Sequence, residues 1–409
     1  MPEFLTLLLV VAALAHVWLQ LFNRWLITIP DGRWKSPIHQ ASLVLLVGVP
    51  SFVLFLARHE PAVQAALSWA PRDGESRLLF AVFGLLWVFL AWRLALWALD
   101  RAWPPRSHHI LSETVSLPRI NKPAPRLPRF LGRLETTFDL EAVELELAIP
   151  GLPAAFDGLS IAHVADVHFD PRNGWLDYFR SVAEVVNDWE VDVVAFTGDF
   201  VNHRRFIGHS ARYHALMKGR LATLAVLGNH DYWTDAAALR EACARAGIRL
   251  MHNERWELER HGRRLVFAGT DAPWGKTRSD LPNLLARGRV DAAILLSHTP
   301  DNAPRAAAAG ASLVLSGHNH GGQYCLPVLG PVIVPSRTGH RYPDGVQDVG
   351  DACVLVVSRG VGCSFVRRGG RTLARPQVLR LVLRAELVEE QIGALAKGRA
   401  VAARPALPG

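Results

Sequence analysis

The sequence predicts an α/β fold in which a second sheet packs on the first, preceded by an apolar helical region. Three observations lead there. Near-continuous apolar runs recur between residues 143 and 318, with helical patterns between several of them. Two further runs, "DACVLVVSRG" and "PQVLRLVLRAEL", follow and are more strands than one sheet of this kind needs. The first hundred residues hold most of the apolar excess of a 409-residue chain that is 50% apolar.

The apolar excess falls into runs long enough for a bilayer, which takes roughly 20 mostly apolar residues. They cover Phe4 to Phe22, about Ala41 to Ala57 (broken by Pro50), and about Leu78 to Leu99. No charged segment precedes the first run and no small-residue cleavage site follows it, so it reads as a retained anchor rather than a signal peptide. Arg93 in the third run can snorkel from near an end, and Trp92, Trp97 and Trp103 suit the interface. Arg101, Arg106, Arg119, Lys122, Arg126, Arg129 and Arg133 follow the third run. With three spans, this places the C-terminal half on the cytoplasmic side.

The expected organisation is a transmembrane region over 1–103, a Pro/Arg-rich linker over 104–138, a catalytic domain over 139–387 and a tail over 388–409. Net charge is +8. Nucleic acid is one partner such a charge admits. The basic residues directly after a span point instead to anionic lipid headgroups. Cys243, Cys325, Cys353 and Cys363 show no CxxC spacing, and a disulfide framework is not expected at this length.

Within the domain, "VELELAI" alternates apolar and acidic residues, as a half-buried strand does. "LSIAHVAD", "VDVVAFTGD", "LATLAVLGN", "RRLVFAGTD", "AAILLSH" and "ASLVLSGH" are apolar throughout, as strands covered on both faces are. Over 176–189, Leu176, Phe179, Val182, Val185 and Val186 fall at helical spacing. Asp235 is placed to cap a helix beginning at Ala236.

Five of these runs end in a metal-type donor. They deliver Asp166 and His168 in "ADVHFD", Asp199 in "FTGDF", Asn229 in "LGNHD", His298 in "LLSHTP", and His318 and His320 in "SGHNHGGQ". All are nitrogen or oxygen donors suited to hard or borderline divalent metals. Ligands gather beyond the carboxyl ends of strands in open α/β sheets. Asp166 and His168, two apart at a strand end, are expected on one face. His318 and His320 flank a turn and can serve different ions. His163, His203, His209, His214, His252, His261 and His340 read as structural. Arg204 and Arg205 lie just past Asp199 and are candidates to reach phosphate.

The order Asp-x-His, Gly-Asp, Gly-Asn-His-Asp, His, Gly-His-x-His resembles the calcineurin-like metallophosphoesterase superfamily, over about residues 159–325. "GGQYCLPVLGPVIVPSRTGHRYPDG" and "VVSRGVGCS" are similar to its bacterial membrane-associated phosphodiesterase branch. The resemblance implies a four-layer sandwich, two packed mixed β-sheets flanked by helices. It implies two divalent ions, manganese first, with magnesium, iron or zinc as alternatives. Asp166, His168 and His320 would hold one ion, Asn229, His298 and His318 the other, and Asp199 would bridge. His230 would face the substrate as the catalytic group. Asn202 stands where the family often has an acidic residue, which leaves the orienting carboxylate of His230 open. The expected reaction is hydrolysis of a phosphodiester or pyrophosphate by metal-activated water. Tethering suggests an amphiphilic substrate, such as UDP-diacylglucosamine, and a bacterial inner-membrane location. The alternatives are a non-catalytic metal-binding scaffold, a nuclease, and a phosphodiesterase of soluble substrates.

Overall fold

The computed structural model describes residues 107–120 and 134–385, apart from short gaps at 173–174, 276–278, 287–288, 327–329, 332–333, 339–341 and 365–369, with scattered residues between 59 and 95. The first two apolar runs, His340 and the C-terminal tail lie outside the described residues, and the third run is described in part. Among the described residues no helix is long and apolar enough to cross a membrane.

Among the described residues fifteen strands follow in chain order. They are β1 (Ile110–Ser116), β2 (Glu141–Ile149), β3 (Ser160–Val164), β4 (Val193–Thr197), β5 (Ala222–Val226) and β6 (Arg249–Leu250). Next come β7 (Glu254–Arg260), β8 (Arg263–Thr270), β9 (Ala292–Ser297), β10 (Leu313–Ser316), β11 (Cys325–Leu326) and β12 (Gly330–Pro331). The last are β13 (Gly345–Asp348), β14 (Val354–Val357) and β15 (Gln377–Ala385). One sheet has the order β1-β2-β15-β3-β4-β5-β6, and a second has β13-β14-β10-β9-β8-β7. Both are mixed: β3, β4, β5 and the edge strand β6 run parallel, as do β8, β9, β10 and β14, while β15 pairs antiparallel with β3 and the edges β1, β7 and β13 are antiparallel to their neighbours.

Strand alternation sends consecutive residues to opposite faces. Ile161, Val193, Ala195, Leu224 and Val226 of the first sheet pack with Leu265, Phe267, Ile294, Leu313, Leu315 and Val354 of the second. Their neighbours Ala162, Val164, Val194, Phe196 and Ala225 pack outward against helices. Those helices are α1 (Trp175–Asp188), α2 (Ile207–His214) and, beyond a short α3 (Asn229–Thr234), α4 (Ala236–Arg245). On the far face, Val266, Ala293, Val314 and Leu355 pack with Ala303 and Ala306 of α5 (Ala303–Ala308). The molecule is therefore layered helices, sheet, sheet, helices, as expected. Each fully buried Leu or Phe of the central layer contributes roughly 1.5–3 kcal/mol.

The expected first helix runs from Trp175 to Asp188 and buries Tyr178, Phe179, Val182 and Val186. Asp235 caps α4, accepting from Ala238 N–H at 3.0 Å. Six of the described strands, β1, β6, β7, β11, β12 and β13, were not read from the sequence. β1 lies inside the span read as linker and exposes six of its seven residues. Such a strand carries no alternation to read, and pairing with β2 alone defines it. β7 alternates charged with half-buried residues at the other sheet's edge.

Candidate dinuclear metal centre

The donors leave the carboxyl ends of β3, β4 and β5 in one sheet and of β9 and β10 in the other. The parallel strands of each sheet point one way, so both sets of loops open at one end of the sandwich. Two side-chain clusters result. Asp166, His168, Asp199 and His320 bring ligand atoms within 4.8 Å of one another, and so do Asp199, His298 and His318. Asp199 belongs to both. Asn229 joins the second, its Oδ1 lying 3.1 Å from His298 Nε2. All seven side chains are buried.

The common face of Asp166 and His168 does not come from strand alternation, because β3 ends at Val164. Both residues instead adopt left-handed backbone, with φ of 52° and 46°. Asp199, His318 and His320 do the same. Five of the eleven described non-glycine residues with positive φ are thus among the seven donors. Each costs about 1–2 kcal/mol. Strain of this kind persists only where surrounding structure over-determines it, and it concentrates at functional sites.

The loops are tied to one another across the sheets. His318 N–H donates to both Asp166 carboxylate oxygens at 3.1 and 3.0 Å. His230 N–H donates to Asp199 Oδ1 at 2.9 Å. Gly198 (φ 92°) permits a close approach: a Cβ there would lie 2.6 Å from His298 Nδ1 and 2.7 Å from Gly228 N.

The imidazoles present their free edges inward. His298 Nδ1 donates to the Thr197 carbonyl at 2.7 Å, and His168 Nδ1 lies 2.8 Å from Asn202 Oδ1. That leaves Nε2 of each directed at the cluster. His168 Nε2 lies 3.0 Å from His320 Nε2, and His318 Nδ1 lies 3.2 Å from His298 Nε2. Ring nitrogens that close can share a proton in one tautomer, or turn their lone pairs together toward a cation. Two carboxylates, four imidazoles and an amide oxygen, fixed from behind, suit a pair of divalent cations.

Electrostatics divide the clusters. Burial pushes the Asp166 carboxyl up to about 7. Burial also opposes charge on Asp199, but His298, His230 and His168 outweigh it and hold its carboxyl well below the ordinary range. Burial drives His168 down to about 3 and His320 well below its usual value. For His298 burial acts downward too, yet Asp199 at 3.3 Å raises it to about 9.

His230 is half-buried, its ring 4.6 Å from His168 and 4.7 Å from Trp233. Asp231 does not orient it. Its carboxylate accepts from Gly228 N–H at 2.9 Å and from Phe200 N–H at 2.8 Å, pinning α3 to the Asp199 loop. Asn202 serves His168 rather than His230. Arg204 pairs with Asp235 at 3.0 Å, and Arg205 lies 4.6 Å over Phe206.

Arg371 and Trp274 were missed in the sequence. Arg371 is 1% exposed. Its guanidinium donates to the carbonyls of Gly362, His320, Ala374, Arg359 and Gly360, and Nη2 lies 3.1 Å from His320 Nδ1. Its setting, "RRGGRTLARP", reads as solvated basic loop. Trp274 places its ring 5.2 Å from both His298 and His318. No periodicity marks it, since it stands in a loop after β8. Of the histidines read as structural, His163 and His214 are buried in the core.

Residues 159–322 match the family model of calcineurin-like phosphoesterases. The chain is 29% identical over 262 residues to the uncharacterized metallophosphoesterase YkuE of Bacillus subtilis (strain 168), covering 60% of this chain and 86% of that one. It is 26% identical to a transmembrane protein with metallophosphoesterase domain from Danio rerio, over 60% of this chain and 57% of that one. It is 26% identical to the phosphodiesterase YaeI of Escherichia coli (strain K12), over 54% and 81%. With its donors gathered where those motifs place them, this chain is a phosphoester hydrolase that belongs, through residues 159–322, to the calcineurin-like metallophosphoesterase superfamily.

Proposed function

We propose that this protein is a membrane-anchored, dinuclear metal-dependent hydrolase of a phosphodiester or pyrophosphate bond. The observation that carries it is the convergence of seven nitrogen and oxygen donors into two clusters sharing Asp199. Asp166, His168 and His320 would hold one divalent cation, Asn229, His298 and His318 the other, and Asp199 both. Manganese is the first candidate, since the set has no sulfur and includes an amide oxygen. A bound pair of cations supplies Lewis acidity toward the phosphoryl group and toward a water molecule.

The chain's own groups do the rest. Asp199 and Asp166 fix the loops that carry the donors. His230, anchored through its N–H to Asp199 yet half-exposed, is placed to donate a proton to the leaving oxygen or a hydrogen bond to the phosphoryl oxygens. Arg204 and Arg205 would have to leave Asp235 and Phe206 to reach phosphate.

Anchoring rests on the apolar N-terminal runs and on the exposed Leu78, Val82, Leu85, Val88 and Trp92, large apolar residues whose exposure marks a buried partner or lipid contact. The basic residues after the third run favour a cytoplasmic catalytic domain at a bacterial inner membrane. A tethered site suits an amphiphilic substrate, such as the pyrophosphate of UDP-diacylglucosamine. A nuclease is the second reading, favoured by Trp233, 47% exposed beside His230, where a base could stack.

The test is hydrolysis of an aryl phosphodiester by the purified full chain with Mn2+. Asp199→Ala and His318→Ala should each reduce it to background, and activity surviving both refutes the centre. Comparing UDP-diacylglucosamine in micelles with single-stranded DNA then separates the two substrate readings.

A further inference from the structure

We infer that His108, His109 and Asp348 form a separate site for a borderline divalent cation of the zinc type, at the end of the sandwich remote from the catalytic centre. Ligand atoms of the three residues lie within 4.8 Å of one another. His109 is 1% exposed, whereas the His108 side chain is 68% exposed, so the site has a buried wall and an open mouth. His108 and His109 form the turn that leads into β1. Here the two rings lie on one side, with centroids 3.9 Å apart.

The donors are held from behind, as metal ligands are. Ser107 donates its hydroxyl proton to Asp348 Oδ1, and its Oγ accepts from His109 N–H at 3.2 Å. The His109 carbonyl accepts from Ala148 N–H at 2.9 Å. His108 Nδ1 lies 2.8 Å from Asp348 Oδ2. Two imidazoles and one carboxylate favour zinc, cobalt or nickel over calcium or magnesium, and three protein ligands leave room for water.

The strand registers place the site at the end of the sandwich opposite the catalytic donors. Ile110, next to His109, pairs with Leu147 near the end of β2. β2 runs parallel to β15, and β15 antiparallel to β3, so that end lies with the amino end of β3. Asp348 pairs with Val354, the first residue of β14. The catalytic donors all follow carboxyl ends. β1 and β13 are the edge strands of different sheets. A cation here would staple those edges together where the chain enters the domain from residues 1–106.

The experiment uses the detergent-solubilised full chain, stripped with EDTA and dialysed against Zn2+, with bound metal counted per chain by mass spectrometry. His108→Ala and Asp348→Asn should each bind one Zn2+ fewer than the parent, with unchanged aryl phosphodiester hydrolysis and a smaller rise of Tm with Zn2+. Conversely, the Asp199→Ala/His318→Ala protein should still take up Zn2+, and lose that uptake when His108→Ala is added. Equal counts in the parent and both single variants overturn the inference and leave a plain His108–Asp348 ion pair. Identical uptake with and without His108→Ala in the Asp199→Ala/His318→Ala background overturns it as well, whatever the single variants do to folding.

Discussion

The cluster of Asp166, His168 and His320 is gripped from behind by Asn202 and by the buried Arg371, whereas His298 and His318 lean on the Thr197 carbonyl and the ring of Trp274. The first cluster is thus cushioned by polar and cationic groups, the second by backbone and an aromatic face. Their charges follow: burial drives His168 down to about 3, while His298, facing Asp199, stands at about 9 despite burial. Adjacent pockets built from the same donor types therefore need not bind a metal alike. What surrounds a ligand sets its basicity and its freedom to turn.

The largest expected effect removes the comparison altogether. Asp199 is common to both clusters, so Asp199→Ala should abolish hydrolysis and lower the metal content of both. A variant that kept a full complement of metal would show the clusters to be independent.

Arg371→Met should act on one side. It removes the guanidinium beside His320 and strips donors from five buried carbonyls. Loss of such a supporting group costs roughly 10–100-fold in metal affinity, and Arg371 should fall at the upper end. Competition titration with a chelating dye should show one of the two metal equivalents weakened and the other unchanged. Equal weakening of both would mean that Arg371 supports the fold generally. Asn202→Ala should weaken the same equivalent, by about tenfold at the lower end of that range, because it loses the His168 contact and only a long bond, 3.5 Å, to the Cys363 carbonyl besides.

The smallest effect separates the clusters by the sign of their pH dependence in the EDTA-treated protein. His168 has a folded value below its unfolded one, so its contribution is complete above about pH 6.5 and is lost as pH falls toward about 3. His298 has a folded value above its unfolded one, so its contribution is complete below about pH 6.5 and is lost as pH rises through about 9. Each limb should slope by up to about 1.4 kcal/mol per pH unit. Urea midpoints against pH should show His168→Asn flattening the acid limb and His298→Asn the alkaline one. The same limb flattened by both variants would remove the electrostatic distinction.

All seven donors were legible because each follows a strand that is buried where it meets the site. β3, β4, β9 and β10 are buried at every position, so their apolar runs announce the strands and the polar residue just beyond stands out. Helix α1 was legible for the same reason at a different period. Edge strands were not. β1 shows no hydrophobic pattern because it meets water on both faces, and only its pairing with β2 makes it a strand.

By itself the sequence determined which side chains could bind metal and the apolar runs that carry them to the sheet ends, since burial and ligand chemistry are properties of residue type and local spacing; the kind of reaction came from the resemblance of its motifs to a known superfamily. Only the tertiary structure decided that Asp199 joins two clusters, that left-handed backbone at Asp166 and His168 turns both inward, that Asn202 serves His168, and that Arg371 fills the space behind His320. Those outcomes depend on distances between segments up to about 200 residues apart in the chain, and no local pattern records such a distance. The loops after five strands can meet only once two sheets have packed face to face.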